Sequence, residues 1–130
     1  MRVLIVDDDP NCRQILELML SRIGLTLSLA VNGAEGVHMA KALRPDLILM
    51  DILMPELSGL DAVAMLKADP DLAGTPVIAV TALAFEEERR AALAAGYDHV
   101  VTKPFSRRQL LEAIERYLPG AGETTDAVVA

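Results

Sequence analysis

The chain has 130 residues, a length that suits one domain. With 52% hydrophobic and only 3% aromatic residues, it can bury a full core that must be aliphatic. The net charge of −7 argues against direct nucleic-acid binding, because contacts to phosphate need clustered lysine and arginine. Cys12 is the single cysteine, no apolar run is long enough for a membrane span, and the N-terminus lacks the cleavage region of a signal peptide. We therefore expect a cytoplasmic protein without a membrane partner.

Five short apolar runs predict β-strands. The runs at 3–6, 47–50 and 77–80 are nearly continuous rather than alternating, which is typical of parallel strands covered by helices on both faces. A weaker run at 25–31 predicts another strand, and the pair at 100–101 is assigned as a strand mainly from its place in the series.

Stretches with helical periodicity or helix caps separate these runs. Most of them begin at a capping residue and end at a glycine or before a proline. The predicted helices cover 10–23, 34–43, 59–68, 86–95 and 107–118.

Strand and helix therefore alternate five times along the chain. This order predicts an α/β fold in which an open, doubly wound, five-stranded parallel sheet is flanked by five helices. Residues 119–130 contain glycine, proline and threonine without a helical period, so we expect a flexible C-terminal tail there.

Acidic side chains follow two of the predicted strands. Asp7, Asp8 and Asp9 come directly after the first strand, and Asp51 comes after the third. Ligands of open α/β sheets bind at the carboxyl ends of the strands, so neighbouring strands would crowd these carboxylates at one edge. Such a cluster needs a raised pKa or a cation, and oxygen-only ligands favour Mg²⁺. The alternative is that these residues form turns or caps, and Asp9 beside Pro10 fits a helix cap.

Two more polar residues fall at the same edge. The Thr81 hydroxyl follows the fourth strand and is a candidate to bind a phosphoryl oxygen, although an ordinary Ser/Thr turn also explains it. Lys103 follows the fifth strand and would pair with the carboxylates before modification and with a phosphoryl group afterwards; a solvated lysine is the alternative. A cis bond to Pro104, which we offer as a hypothesis, would aim Lys103 into the site.

Four motifs in register resemble the response-regulator receiver family over residues 1 to about 118. They are LIVDDD at 4–9, LILMDILMPELSG at 47–59, VIAVTA at 77–82 and VVTKPF at 100–105. The resemblance implies a flavodoxin-like sheet with strand order 2-1-3-4-5, a receiver domain at 1–118 and a tail at 119–130.

The resemblance also implies a role for each matched residue, with Asp51 as the phosphoacceptor. The implied ligands of Mg²⁺ or Mn²⁺ are Asp8, Asp51, the backbone carbonyl of Leu53 and, through water, Asp7. The implied phosphoryl-binding groups are Thr81, the Ala82 backbone N–H and Lys103. The implied structural residues are Met54, Pro55, Gly59 and Pro104.

The implied activity is phosphoryl transfer from a histidine kinase or a histidine phosphotransfer protein onto Asp51. The modified domain would switch conformation and control a downstream protein. It would catalyse only its own phosphorylation and dephosphorylation, so it is not counted as an enzyme. The face made by the fourth helix, fifth strand and fifth helix is implied as an output surface and as a candidate homodimer interface.

Three positions depart from the family pattern. The family's switch aromatic is replaced by Val100, so the signal must leave the site by another route. Two positions that modulate dephosphorylation are apolar, Leu53 and Leu83. Apolar cover would hinder an attacking water, so the sequence predicts a long-lived phosphorylated form.

Several alternatives stay open from the sequence. The chain is expected to be a stand-alone receiver, but it is also compatible with a fragment of a longer regulator. A degenerate receiver that binds partners without phosphorylation is another alternative. The remaining one is an aspartyl phosphatase of the haloacid dehalogenase type, whose motif fits Asp7 and Asp9 but not Asn11, and which leaves Asp51 unexplained.

Overall fold

The computed structural model describes residues 1–83 and 85–119, and within them strands and helices alternate as predicted. The predicted tail lies outside the described residues from position 120 onward. The strands are β1 (Arg2–Val6), β2 (Thr26–Ala30), β3 (Leu47–Met50), β4 (Val77–Thr81) and β5 (His99–Thr102). The helices are α1 (Pro10–Met19), α2 (Gly33–Leu43), α3 (Gly59–Ala68), α4 (Glu86–Ala95) and α5 (Arg107–Tyr117).

All five strands pair in parallel in the order β2-β1-β3-β4-β5, which confirms the predicted fold class and strand order. The register aligns Val6 of β1 with Met50 of β3. The residues that follow these two, Asp7 and Asp51, therefore leave the sheet at the same level and at the same edge. The Asp51 N–H donates to the Val6 carbonyl over 3.0 Å, which extends the ladder to the first residue past β3.

Each central strand sends its side chains alternately to two apolar layers. Leu4, Val6, Ile48 and Met50 point to the layer under α2, α3 and α4, whereas their neighbours along β1 and β3 point to the layer under α1 and α5. Both layers are buried, so every position of β3 is apolar. This two-sided burial explains why the strands appear in the sequence as continuous apolar runs.

Side-chain caps fix the starts of four helices. The carboxylate or hydroxyl or amide oxygen of the cap accepts a hydrogen bond from a main-chain N–H of the first turn. The caps are Asp9, Asn32, Ser58 and Ser106. The first of these confirms the helix-cap interpretation of Asp9.

Helix α1 is shorter than predicted, ending at Met19 rather than at residue 23. The chain then turns through Arg22 and Gly24, whose φ angles of 67° and 77° are left-handed. Ile23 is nevertheless buried in the core. Ile23 therefore continues the helical spacing of apolar residues although it lies in a turn, and the predicted end of α1 at residue 23 was wrong for that reason.

The other differences from the predicted bounds are smaller: β4 extends to Thr81, and α5 ends at Tyr117. Among the described residues, no helix combines the length and the apolar character that crossing a bilayer requires.

The contact between α2 and β1 gives a test of this packing. A Cβ added at Gly36 would lie 2.7 Å from Val6 Cγ1, whereas a Cβ at Gly74 would meet nothing within 4 Å. Overpacking costs about 1–3 kcal/mol, and the better helix propensity of alanine recovers at most about 1 kcal/mol. We expect Gly36→Ala to lower the free energy of unfolding in urea and Gly74→Ala to leave it unchanged. Equal stability of the two variants would contradict the packing described here.

Candidate functional site

Three carboxylates meet at the edge where β1 and β3 end. One oxygen from each of Asp7, Asp8 and Asp51 lies within 4.8 Å of the others. Asp7 and Asp51 are only 1% and 8% exposed, whereas Asp8 faces solvent. Buried like charges at this separation repel each other strongly unless a cation lies among them.

Lys103 supplies one such cation from the end of β5. Its Nζ lies 3.2 Å from Asp7 Oδ2 and 3.2 Å from Asp51 Oδ2. Burial disfavours the ammonium, but the contact with Cys12 and the charges of Asp51 and Asp7 together outweigh it and raise the pKa of Lys103. Three carboxylates and one ammonium leave a formal charge of −2 on these four side chains.

Hydrogen bonds fix both carboxylate oxygens and the main-chain carbonyl of Asp51. Its Oδ1 accepts from the N–H of Ile52 at 2.7 Å, and its Oδ2 accepts from Lys103. Its main-chain carbonyl accepts a hydrogen bond from the Tyr97 hydroxyl at 3.1 Å. The carboxylate therefore has one defined orientation, with one oxygen toward Lys103.

Asp7 is fixed by the turn into α1. Its Oδ1 accepts from the N–H of Asp9 at 2.9 Å, and its carbonyl accepts from the Arg13 guanidinium at 2.7 Å. The Asp9 carboxylate in turn accepts from the N–H of Asn11. Hydrogen bonds thus fix the conformation of the acidic turn, and Arg13 is a contact that the sequence did not predict.

Thr81 ends β4 and its side chain is completely buried. Within the described part of the chain, its hydroxyl accepts from the N–H of Leu83 at 3.3 Å, which is the Ser/Thr turn that the sequence also allowed, and the bond is not to the acidic cluster. The Thr81 carbonyl accepts from the N–H of Lys103 at 2.7 Å. This bond joins the end of β4 to the residue that carries the ammonium. Ala82, which follows, is exposed.

The loop after Asp51 folds back onto the site. Met54 is buried in the core, Leu53 is 59% exposed, and the N–H of Gly59 donates to the Ile52 carbonyl at 2.8 Å. A Cβ on Gly59 would collide with the Asp51 carbonyl and with the Tyr97 hydroxyl. Only glycine therefore allows the loop to close at this point.

Three further predicted positions, Leu83, Val100 and Pro104, lie in or shortly after β4 and β5. The Lys103–Pro104 peptide bond is cis, as hypothesised. Val100 is half-buried and packs against the core layer under α2, α3 and α4, as does Leu83. Tyr97, which touches Asp51, was not identified from the sequence, because a tyrosine just after a helix has no local pattern that predicts a contact 46 residues away.

The fold and this acid–lysine cluster define a class: a doubly wound α/β domain with an aspartate-centred site at the carboxyl ends of its strands. The pattern of the response regulator receiver domain matches residues 3–115, so the chain belongs to that family. The family is a phosphoacceptor module of two-component signalling. The interpretation as an aspartyl phosphatase of the haloacid dehalogenase type is therefore wrong.

Individual relatives agree with this assignment. The polar-differentiation response regulator DivK of Brucella anthropi is 37% identical, over 92% of this chain and 97% of that protein. The probable transcriptional regulatory protein TcrX of Mycobacterium tuberculosis is 35% identical, over 95% of this chain but 52% of that protein. The chain therefore spans nearly all of one relative and about half of the other.

A solved structure shows the same fold with an ion in the cleft. It is the receiver domain of the sensor histidine kinase PA1611 from Pseudomonas aeruginosa, which has a magnesium ion coordinated in its active-site cleft. That domain is 33% identical to this chain, covers 90% of it and 96% of its own length, and superposes with a TM-score of 0.84.

The environment of Cys12 gives a pH-dependent prediction. Burial, helped by a hydrogen bond with Asp7, raises the pKa of this thiol from 9.0 to about 11. Only the thiolate is nucleophilic, so the rate of alkylation by iodoacetamide should rise about tenfold per pH unit up to about pH 11. The urea-unfolded chain is the control, and its rate should level off near pH 9. A folded protein whose rate also levels off near pH 9 would contradict the buried, acid-flanked position of Cys12.

Proposed function

We propose that this domain accepts a phosphoryl group on Asp51 from a phosphohistidine of a histidine kinase or a histidine phosphotransfer protein. The observation that carries the proposal is the position of Asp51, whose Oδ2 lies 3.2 Å from Lys103 Nζ inside a cluster of three carboxylates. An aspartate held as a charged nucleophile beside a cation suits phosphoryl transfer.

The donor atoms of this site fit a magnesium or manganese ion. All three side chains offer carboxylate oxygen, and their charges exceed that of Lys103, which suits a hard divalent cation. The ligands we assign are Asp8, Asp51, the backbone carbonyl of Leu53 and, through water, Asp7. When bound, the metal would neutralise charge on the phosphoryl oxygens. The magnesium ion in the PA1611 receiver domain supports this assignment.

The chain's own groups would act as follows. A carboxylate oxygen of Asp51 attacks phosphorus in line; the new O–P bond forms as the P–N bond of the phosphohistidine breaks. Lys103 moves from its carboxylate partners to a phosphoryl oxygen, where its positive charge stabilises the charge of the transferred group. The Thr81 hydroxyl and the Ala82 N–H donate to the other phosphoryl oxygens, and Thr81 can do so while its hydroxyl still accepts from the N–H of Leu83.

We propose that the phosphodonor docks on an apolar groove beside Lys103. The groove is lined by Ile15 and Met19 of α1 and by Pro104 and Phe105 of the loop before α5. Ile15 is exposed in the described structure. The groove adjoins the ammonium, so a histidine side chain entering from it would reach Asp51.

The downstream partner, or a second copy of the domain, is proposed to bind the face made by α4, β5 and α5. Exposed ion pairs within α4 and α5, Glu86–Arg90 and Arg108–Glu112, lie on these elements. The relatives include proteins of similar length and proteins about twice as long, so the stand-alone arrangement stays a prediction, as does the cytoplasmic location.

Acetyl phosphate with Mg²⁺ tests the phosphoacceptor directly. We expect mass spectrometry to find one phosphoryl group, mapped to Asp51, in the wild type and in Asp61→Asn, an exposed aspartate at the start of α3. Asp51→Asn should not be modified, because the nucleophilic oxygen is gone. A phosphoryl group elsewhere, or one that persists in Asp51→Asn, would overturn the assignment. An unmodified wild type would favour the degenerate receiver.

The apolar positions near the site predict a long-lived phosphorylated form. Leu53 is 59% exposed, so Leu53→Asn should fold normally while allowing a water molecule to be oriented near the acyl phosphate. We expect faster phosphate release in Leu53→Asn than in the wild type, and no change in Leu93→Asn, which alters an exposed leucine on α4. Loss of phosphate from the wild type within seconds would contradict the prediction.

A further inference from the structure

Tyr97 lies in the turn between α4 and β5, and its side chain extends from there to the acidic site. Its side chain is 3% exposed, and its hydroxyl donates to the main-chain carbonyl of Asp51 at 3.1 Å. The bond spans 46 residues and ends on the proposed phosphoacceptor itself. No role in phosphoryl transfer described above uses this residue.

The Tyr97 hydroxyl occupies the space that a side chain at Gly59 would otherwise fill. A Cβ on Gly59 would collide with the Tyr97 hydroxyl and with the Asp51 carbonyl at once. The N–H of Gly59 closes the same loop by donating to Ile52. The Tyr97 ring end is therefore enclosed between α3 and the residue that carries the reaction.

A single peptide unit connects the Asp51 carboxylate to Tyr97. The N–H of this unit belongs to Ile52 and donates to Asp51 Oδ1 at 2.7 Å, and its carbonyl belongs to Asp51 and accepts from Tyr97. The peptide unit is planar and moves as one body. A carboxylate that turns to accept a phosphoryl group must lengthen or redirect the bond to Ile52, and the rotated plane then redirects the carbonyl that Tyr97 holds.

Hydrogen bonds also hold the main chain of Tyr97 and of the residue after it. The Tyr97 N–H donates to the Ala92 carbonyl of α4 at 3.1 Å, and the next N–H, of Asp98, donates to the Val77 carbonyl at 2.8 Å. The main chain of Tyr97 is thus hydrogen-bonded to the last turn of α4, and the chain enters β5 two residues later, at His99. A displacement of the Tyr97 hydroxyl has a direct main-chain route to both elements.

We propose that Tyr97 is a positioning residue that couples the state of Asp51 to α4 and β5, through the Asp51–Ile52 peptide unit. The inference rests on the proposed function, because it takes Asp51 as the phosphoacceptor. Coupling through Tyr97 would replace the coupling through the family's switch aromatic. That aromatic is absent here, because its position is taken by Val100, which packs into the core and has neither a hydroxyl nor an aromatic ring.

The chain offers its own reporter for the test. It contains two tyrosines and no tryptophan, so each Tyr→Phe variant leaves a single tyrosine emitter. Tyr117 is the matched control, because its hydroxyl also donates to a main-chain carbonyl, that of Asp98 at 2.9 Å, away from the acidic cluster. Beryllofluoride with Mg²⁺ serves as the probe in place of the acyl phosphate.

Two measurements are made on the full chain at a saturating concentration of beryllofluoride for each variant. Tyrosine emission should change in Tyr117→Phe, where only Tyr97 emits, and stay constant in Tyr97→Phe. Hydrogen exchange of the α4 and β5 amides should respond to the probe in the wild type and in Tyr117→Phe. We expect that exchange response to be lost in Tyr97→Phe, although the probe is bound. The first measurement leaves Tyr97 intact and so does not depend on the folding of its variant.

The outcomes separate the two proposals. If the wild type binds the probe and Tyr97→Phe retains the exchange response in α4 and β5, the coupling role of Tyr97 is wrong and the phosphoacceptor assignment stands. Unchanged Tyr97 emission in probe-bound Tyr117→Phe would likewise overturn the coupling role. If the wild type neither binds the probe nor accepts phosphate from acetyl phosphate, the proposed function fails, and the inference fails with it.

Discussion

The structure depends on one electrostatic constraint, which is that Asp7 and Asp51 are buried next to each other with Lys103 between them. Both carboxylates lie 3.2 Å from the same ammonium, and the exposed Asp8 adds a third negative charge. Buried ions of one sign are costly unless paired, so the lysine is part of the fold as well as of the site. The remaining negative charge makes the edge of the sheet a ready place for a divalent cation and for the charge changes of phosphoryl transfer.

The sheet order produces this arrangement. β1 and β3 are neighbours at the centre, although α1, β2 and α2 separate them in the chain, and their register brings Asp7 and Asp51 level. The connections leaving the two strands lead to opposite faces of the sheet, because α1 packs on one apolar layer and α3 on the other. A crevice opens where such connections diverge, which is the position at which doubly wound sheets bind ligands. β5 lies two strands away from β3, and Lys103, the residue that follows it, completes the cluster.

Sequence patterns predicted the parts of the molecule that are governed by local or periodic rules. Continuous apolar runs located the buried strands, and short polar residues before helices located caps such as Asp9 and Ser58. The patterns failed at the end of α1, where Ile23 enters the core from a turn and so imitates helical spacing. They could not show the bond from Tyr97 to Asp51, because a contact between a side chain and a distant main-chain carbonyl depends on the assembled fold.

The bond from Tyr97 to Asp51 lies next to the hydrogen bonds that fix the Asp51 carboxylate. The hydrogen bonds of Asp51 fix its carboxylate, but they place one of its two oxygens on the same peptide unit whose carbonyl holds Tyr97. The hydrogen bonds that fix the Asp51 carboxylate and the route that we propose toward α4 therefore share the same peptide unit. The peptide unit between Asp51 and Ile52 is planar, and both of its polar atoms are hydrogen-bonded. It cannot rotate without displacing the Asp51 carboxylate or the Tyr97 hydroxyl. The main chain of Asp51 lies one hydrogen bond from the turn that precedes β5, and we propose this bond as the route that an aromatic ring at Val100 would otherwise provide.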